Sequence, residues 1–353
     1  MLIVNPHATS TTSLRRDVIA RALASELDLT VVQTRYRGHA AHFSGEAARD
    51  GYDLVLTLGG DGTVNEAVNG LLRARPPAAG GPETRPALAT VPGGSANVFT
   101  RALGMPADPV DATGRILAAL TGPQTRTTGT QTHTAGPQTR TARTQSHTAG
   151  AGPRTAEPGA RNAAVGYRVI GLGLAQDRYF TVNAGLGFDA EVVRAVEGLR
   201  ADGQEASAGL YVWTTVRHFY GVTNRRQPAL TLEVDGRPAA RRLFLAIVSN
   251  AAPWTYLGNR PINPSPEAGF DTALDVFAFR SLGTLPTLIT LRHMLGIGPE
   301  GNAHSKHTLS LHDERELTFR SARPIAFQVD GEYVGEREHV TFRSVPDALR
   351  VIS

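Results

Sequence analysis

The segment YDLVLTLGGDGTVNEAVNGLL, residues 52–72, decides the fold. Leu54–Leu58 is a short continuous apolar run, the pattern of a strand buried on both faces. It leads straight into Gly59-Gly60-Asp61-Gly62-Thr63. Beyond that turn Val64, Ala67, Val68, Leu71 and Leu72 recur at helical spacing, which predicts an amphipathic helix over Val64–Arg73. Thr63 followed by Glu66 reads as a capping box and sets the helix start at Thr63. Glycine tolerates positive φ and lets backbone N–H groups come close to a ligand. A helix N-terminus at the same point favours an anion. A tight turn needs one glycine, and several around an aspartate at a strand-to-helix junction point to a phosphate.

The arrangement recurs outward from this segment. ALATVPGGSANVFTRAL, residues 87–103, is a strand (Ala87–Val91), the turn Pro92-Gly93-Gly94, and Ser95 as the N-cap of another helix. Asn5-Pro6-His7 follows a third strand, Leu2–Val4, and Leu29–Thr34 makes a fourth. Helical patterns over Thr12–Leu27, His39–Arg49 and Pro109–Leu120 alternate with these strands. Such alternation predicts an α/β N-terminal domain, residues 1–120, built on a mostly parallel sheet. The three turns would then open together at the carboxyl edge of the sheet, where open α/β folds bind ligands.

Residues 121–160 break the pattern. GPQTRTTGTQTHTA (122–135) is followed by GPQTRTARTQSHTA (136–149), a repeat of 14 residues with 11 identities. With almost nothing apolar beyond alanine, the segment cannot offset its ordering entropy and reads as a disordered insert. From residue 161 to 353 the character is β. Strands are expected at Ala229–Val234, Arg241–Ser249, Ala273–Phe279, Thr308–Leu311, Glu316–Arg320, Ile325–Val329 and Val340–Phe342. Asp235-Gly236 and Asp330-Gly331 are hairpin turn signals, and helices are expected at Leu210–Tyr220 and Leu285–Leu295. The expectation is a β-rich sandwich.

Composition narrows the function. The 353 residues include no cysteine, which removes disulfides and thiolate chemistry. The formal charge is +4, but the insert carries four arginines against one glutamate, so the remainder is close to neutral and no nucleic-acid partner is expected. Lys306 is the only lysine and follows no glycine-rich loop, which excludes Walker A proteins and protein kinases. No run reaches the ~18 apolar residues of a membrane span, and residues 1–10 lack a leader pattern. A cytoplasmic location is expected, with peripheral contact at the inner membrane face. No motif sets the oligomeric state.

The motif GGDGTVNEAVNGL, with Asn5-Pro6, Thr34 and Gly38-His39-Ala40, VPGGSANVFTRAL, Asn183–Asp189 and Asp330-Gly331-Glu332, resembles in order the signatures of the diacylglycerol kinase catalytic domain family. That family includes bacterial lipid kinases and sphingosine kinases. The resemblance implies an ATP-binding α/β domain akin to phosphofructokinases and NAD kinases, a β-sandwich domain, and a cleft between them. It implies nucleotide contacts at Asn5, Pro6, Thr9, Thr34, Gly59, Gly60, Asp61, Gly62, Thr63, Asn65 and Ser95, with Glu332 as catalytic base. Separately, a carboxylate between glycines facing phosphates needs a metal between them, so Asp61 is expected to orient Mg²⁺–ATP. The resemblance also implies a Mg²⁺ site on Asp271 with backbone oxygens of Ala268 and Ala273, although an isolated loop aspartate is by itself an ordinary turn former.

The chain departs from the family at Ser95 (usually Thr), Val98 (Asp), Gly171 (often Asp) and Thr272 (Gly). The expected activity is phosphorylation of a lipid hydroxyl, diacylglycerol first. The alternatives are a sphingoid base or phosphatidylglycerol as acceptor, or a catalytically weak nucleotide-binding regulator. NAD kinase shares GGDGT but not SANVFTRAL or the terminal Asp-Gly-Glu. Tyr211, Trp213 and Phe219, at helical spacing, serve a core or an apolar lipid slot. His39, His42, His304, His307 and His312 form no ligand set and read as surface residues.

Overall fold

The structure is a computed structural model that describes residues 1–8, 12–121, 166–201, 228–296 and 306–353. Thr9, His304, the expected helix 210–220 with Tyr211, Trp213 and Phe219, and the tandem repeat lie outside the described residues.

In the first half the strands are β1 (Leu2–Val4), β2 (Val31–Gln33), β3 (Leu54–Gly59) and β4 (Ala87–Pro92). The helices are α1 (Ser13–Ala24), α2 (His39–Asp50), α3 (Asp61–Ala74), α4 (Val98–Ala102) and α5 (Pro109–Thr121). All pairings among the four strands are parallel, in the spatial order β2-β1-β3-β4. Every residue of β3 and β4 is buried, as strands covered on both faces must be, while β2 forms the exposed edge.

The second half contributes β5 (Tyr167–Ala175), β6 (Arg178–Phe180), β7 (Asn183–Gly187), helix α6 (Phe188–Ala201), β8 (Leu230–Val234), β9 (Arg237–Leu243) and β10 (Leu245–Ser249). It continues with the hairpin β11 (Thr255–Leu257) and β12 (Arg260–Ile262), then β13 (Leu274–Phe279), helix α7 (Thr284–Met294) and β14 (Thr308–Glu314). Two long strands close it, β15 (Glu316–Val329) and β16 (Glu332–Ile352). The pairings here are antiparallel, around a second core that includes Phe180, Phe319, Phe327 and Phe342. Asp235-Gly236 and Asp330-Gly331 both carry paired positive φ angles, as the tight hairpins require.

The two halves are not separate layers. The path runs β14-β13-β10-β7-β15-β16-β4-β3-β1-β2, so one 14-stranded sheet passes through both. Strand β16 makes the junction: it begins antiparallel to β15 and ends parallel to β4, with Val351 opposite Leu88. Ile170, Leu172, Leu349, Val351 and Ile352 therefore belong to the core of the first half, across the boundary expected after residue 160.

Two local expectations are corrected. Helix α3 starts at Asp61 with Gly60 as N-cap, not at Thr63, because the Glu66 carboxylate serves a different helix. It accepts the N–H groups of Gly38 (2.7 Å) and Ala40 (3.1 Å), where α2 has no side-chain cap of its own. Ser95 is no helix cap either: it is exposed in the loop, and α4 begins at Val98 after Asn97, which sits in the left-handed region (φ 48°). The Asn97 amide is bonded to Gly94 N–H and O within the loop.

Candidate active site

Three turns meet at the carboxyl ends of β1, β3 and β4. Asn5 N–H donates to Leu58 O (2.9 Å) and Gly93 N–H to Gly59 O (2.8 Å), which ties the turns to one another. The Asn5 amide donates to Thr63 Oγ1 at 3.3 Å. The glycines serve close approach rather than special dihedrals. None of Gly59, Gly60, Gly62, Gly93 or Gly94 has a positive φ. A Cβ on Gly94 would lie 2.6 Å from Gly60 Cα, so two backbones touch where side chains usually stand. A Cβ on Gly59 would strike Thr63 Oγ1 at 2.6 Å, whereas Gly62 faces open space. The N-terminus of α3, with no side-chain cap, opens beside exposed Gly62. An uncapped helix N-terminus beside a bare backbone suits a polyphosphate, so these residues fit a nucleotide. Thr34 is buried at the end of β2, its N–H bonded to Val4 O, and Pro6 is half-buried behind Asn5.

Asp61 does not point outward from this edge. Its Oδ1 accepts the Phe99 N–H at 3.0 Å and thereby caps the first turn of α4. Burial pushes its carboxyl pKa up, against the lowering effect of the backbone N–H groups of Phe99 and Val98. Asn65 is likewise turned away from the nucleotide edge. Its amide donates to Asp330 Oδ2 (2.7 Å) and Tyr179 O (2.9 Å), and its oxygen accepts from Arg178. Asn69, one turn on, exchanges bonds with Tyr179 N–H and O, both at 2.9 Å. The asparagines of the α3 motif are thus struts to the second half of the chain.

Asp330 is the hub of that junction. Besides Asn65, its carboxylate accepts from Thr181 N–H and Oγ1, Val182 N–H and Asn183 N–H, at 2.7 to 3.1 Å. Two residues on, Glu332 sits where the halves meet, with its side chain 17% exposed. The guanidiniums of Arg178 and Arg37 both pair with it, and Arg37 also reaches Glu197 at 3.1 Å. Arg178, Arg37, Asn69 and Asp330's hub role escaped the sequence. The chain has dozens of arginines, and no local pattern separates these two from the rest.

The Asp271 loop engages its polar groups within the chain. Asp271 pairs with Arg168 Nη2 at 2.6 Å, and Ala268 O already accepts the Ala252 N–H at 3.1 Å. Ala273 O receives the Thr272 hydroxyl, and the Ala273 N–H is bonded to Asp313. Close by, His312 pairs with Asp275 at 2.7 Å and stands 3.8 Å from Glu267. A guanidinium stands at the Asp271 carboxylate, and both carbonyl oxygens accept a hydrogen bond. Gly171 borders the same small pocket with Phe270, Asp271 and Asp347, and a Cβ there would come 3.0 Å from Phe270 O. His39 stacks between Tyr36 and Phe43 (4.3 and 4.1 Å), and His42 pairs with Glu46, as surface helix residues do.

Comparison with known proteins now bears on this geometry. Residues 1–125 match the family model of the diacylglycerol kinase catalytic domain, and residues 182–353 that of the YegS C-terminal NAD kinase beta sandwich-like domain. Residues 1–125 thus carry a diacylglycerol kinase catalytic domain. The curated relatives match over short stretches. The chain is 42% identical over 77 residues to a diacylglycerol kinase of Bacillus subtilis, covering 22% of this chain and 23% of that one. It is 39% identical over 97 residues to a protein of Chromohalobacter salexigens named "Probable lipid kinase YegS-like", covering 28% and 29%. The matches thus span under a third of those relatives' lengths. A solved diacylglycerol kinase structure from Bacillus anthracis aligns over 99% of this chain and 95% of its own, with a TM-score of 0.61 at 18% identity. That likeness speaks for the fold alone, an α/β domain joined to a sandwich.

Proposed function

We propose that this chain transfers the γ-phosphoryl group of ATP to a lipid hydroxyl, with diacylglycerol as acceptor and phosphatidic acid as product. The observation that carries the reading is Glu332: a carboxylate where the halves meet, paired with Arg37 and Arg178 and linked through Arg178 and Asn65 to the helix whose N-terminus faces the glycine turns. Asn5, Thr63, Gly59, Gly60, Gly62 and Ser95 hold the phosphates at the sheet edge. Thr34 and Pro6 shape the pocket behind them. Mg²⁺ enters as part of the Mg–ATP substrate and neutralises phosphate charge.

The lipid hydroxyl gives its proton to a Glu332 oxygen while the hydroxyl oxygen bonds to the γ-phosphorus. The bond from that phosphorus to the β–γ bridging oxygen breaks, and ADP leaves. Arg37 and Arg178 pair with phosphate as readily as with carboxylate. An arriving triphosphate therefore draws guanidinium from Glu332 and frees a carboxylate lone pair for the proton.

The test is ATP labelled at the γ position, incubated in parallel with micellar diacylglycerol, sphingosine, phosphatidylglycerol and soluble NAD. Label in phosphatidic acid supports the reading, and label in another product reassigns the acceptor. ATP binding with no labelled acceptor favours the catalytically weak regulator, a reading to which Gly171 and the Arg168–Asp271 pair lend support.

A further inference from the structure

Helix α7 turns large apolar side chains to solvent. Its buried positions include Thr287 and Thr290, whereas Leu285, Leu288, Ile289 and Leu291 are 69%, 56%, 49% and 39% exposed. Leu285, Leu288 and Ile289 stand at spacings of three and four, a single outward face that also carries Arg292. The Thr287 hydroxyl is buried with no hydrogen-bond partner, so the orientation is held at the expense of a polar group. A helix free to turn would bury the leucines and expose the threonines. Its anchoring forbids that: Met294 packs in a core with Phe277 and Phe279, and Met294 O accepts the Asn263 N–H.

We infer that this face of α7 inserts into the surface of a lipid bilayer. The inference deepens the lipid-kinase reading and rests on it for its purpose. Charge favours a membrane over a second copy of the chain. The helix contains no acidic residue, and Arg280 and Lys306 are exposed beside each other before its first turn. Two such faces docked together would repel, whereas anionic headgroups would complement them, with the leucines among the acyl chains. The position also suits delivery of a lipid. Asn263 follows β12, β12 pairs with β11, and Trp254 just before β11 accepts the Asn183 amide at 3.0 Å. Asn183 N–H is itself on Asp330, two residues from Glu332. The docking helix is thus linked by hydrogen bonds to the turn that precedes Glu332.

Flotation with vesicles of phosphatidylglycerol and phosphatidylethanolamine, without ATP, tests this directly. Burial of each such side chain changes partitioning by roughly tenfold or more. The double variant Leu288→Asp/Ile289→Asp should therefore bind vesicles at least tenfold more weakly, with an unchanged melting curve because both positions are exposed. Its turnover of a short-chain, monomerically dissolved diacylglycerol should equal wild type. Leu288→Trp should show a blue shift of its added fluorescence when vesicles are present. Equal vesicle binding by wild type and double variant, absence of binding by wild type, or no tryptophan shift overturns the inference. So does a concentration-dependent dimer that the double variant dissolves, which assigns the face to a second copy. Absence of soluble turnover in wild type would sink the kinase reading alone and leave the docking result standing.

Discussion

At Asp61 two demands compete: its carboxylate caps α4, and burial there disfavours the charge. Because the folded-state pKa is raised, the contribution of this group to stability is complete below the unfolded carboxylate pKa of about 3.9. That contribution is lost as pH rises through the folded value. Asp61→Asn keeps an oxygen for the Phe99 N–H and removes the charge. Thermal melts should show it as stable as wild type or more so at neutral pH, with the gap closing on acidification. Asp61→Ala loses the acceptor and should cost about 1 kcal/mol. If Asp61 also orients Mg–ATP, Asp61→Asn loses turnover without losing fold, and a fully active Asp61→Asn would remove that role. For Glu332, replacement by Gln keeps the size and removes the base. Its kcat should fall by about 10²–10⁴ with ATP affinity nearly unchanged. A variant retaining more than about a tenth of the activity would rule out Glu332 as the base.

Elements in this protein are finished by their neighbours. Helix α3 supplies Asp61 to the start of α4 and Glu66 to the start of α2, neither of which has its own side-chain cap. The turns after β3 and β4 are fitted to one another through Gly60 and Gly94. Gly94→Ala would force these backbones apart, at a cost of about 1–3 kcal/mol, the range for overpacking. Urea unfolding together with ATP titration should show both lowered stability and weakened nucleotide binding; a variant that binds ATP normally would show that the contact is dispensable. The turn before β16 carries the complementary case. Asp330→Ala strands donors from Thr181, Val182, Asn183 and Asn65, and unmet buried donors cost about 1–3 kcal/mol each. A loss of at least about 3 kcal/mol is expected, with activity falling as the junction loosens.

Across the whole molecule, β16 makes the two halves one structural unit. Its last residues lie beside β4, and Val351 and Ile352 are fully buried in the first core. Heat should therefore unfold the described parts together. Val351→Asp, which places an unpaired charge in that core, should lower the melting temperature of both halves at once. Calorimetry that resolves two independent transitions would contradict this coupling.

Local pattern was enough for the α/β half, because buried parallel strands and amphipathic helices write their periods directly into residues 1–121. It was also enough for the positions of the glycine turns and for both Asp-Gly hairpins, whose residue types meet local backbone demands. The roles of Asp61, Glu66 and Asn65 were illegible for a different reason. A carboxylate or an amide shows no preference in sequence between a ligand, its own helix and a helix far along the chain. Only packing decides, by bringing Phe99 to Asp61, Gly38 to Glu66 and Asp330 to Asn65. The same holds for Arg37 and Arg178, which gain meaning from Glu332, and for Arg168, which takes the place at Asp271 that resemblance assigns to a metal. In residues 1–121 sequence determined which segments become strands, helices and turns, since those choices rest on nearest-neighbour sterics and on which side meets water. The strands β5, β6 and β7 and helix α6 of the second half left no pattern that was read. Tertiary structure alone determined which polar groups face one another where the halves meet, because that depends on contacts between residues more than a hundred positions apart.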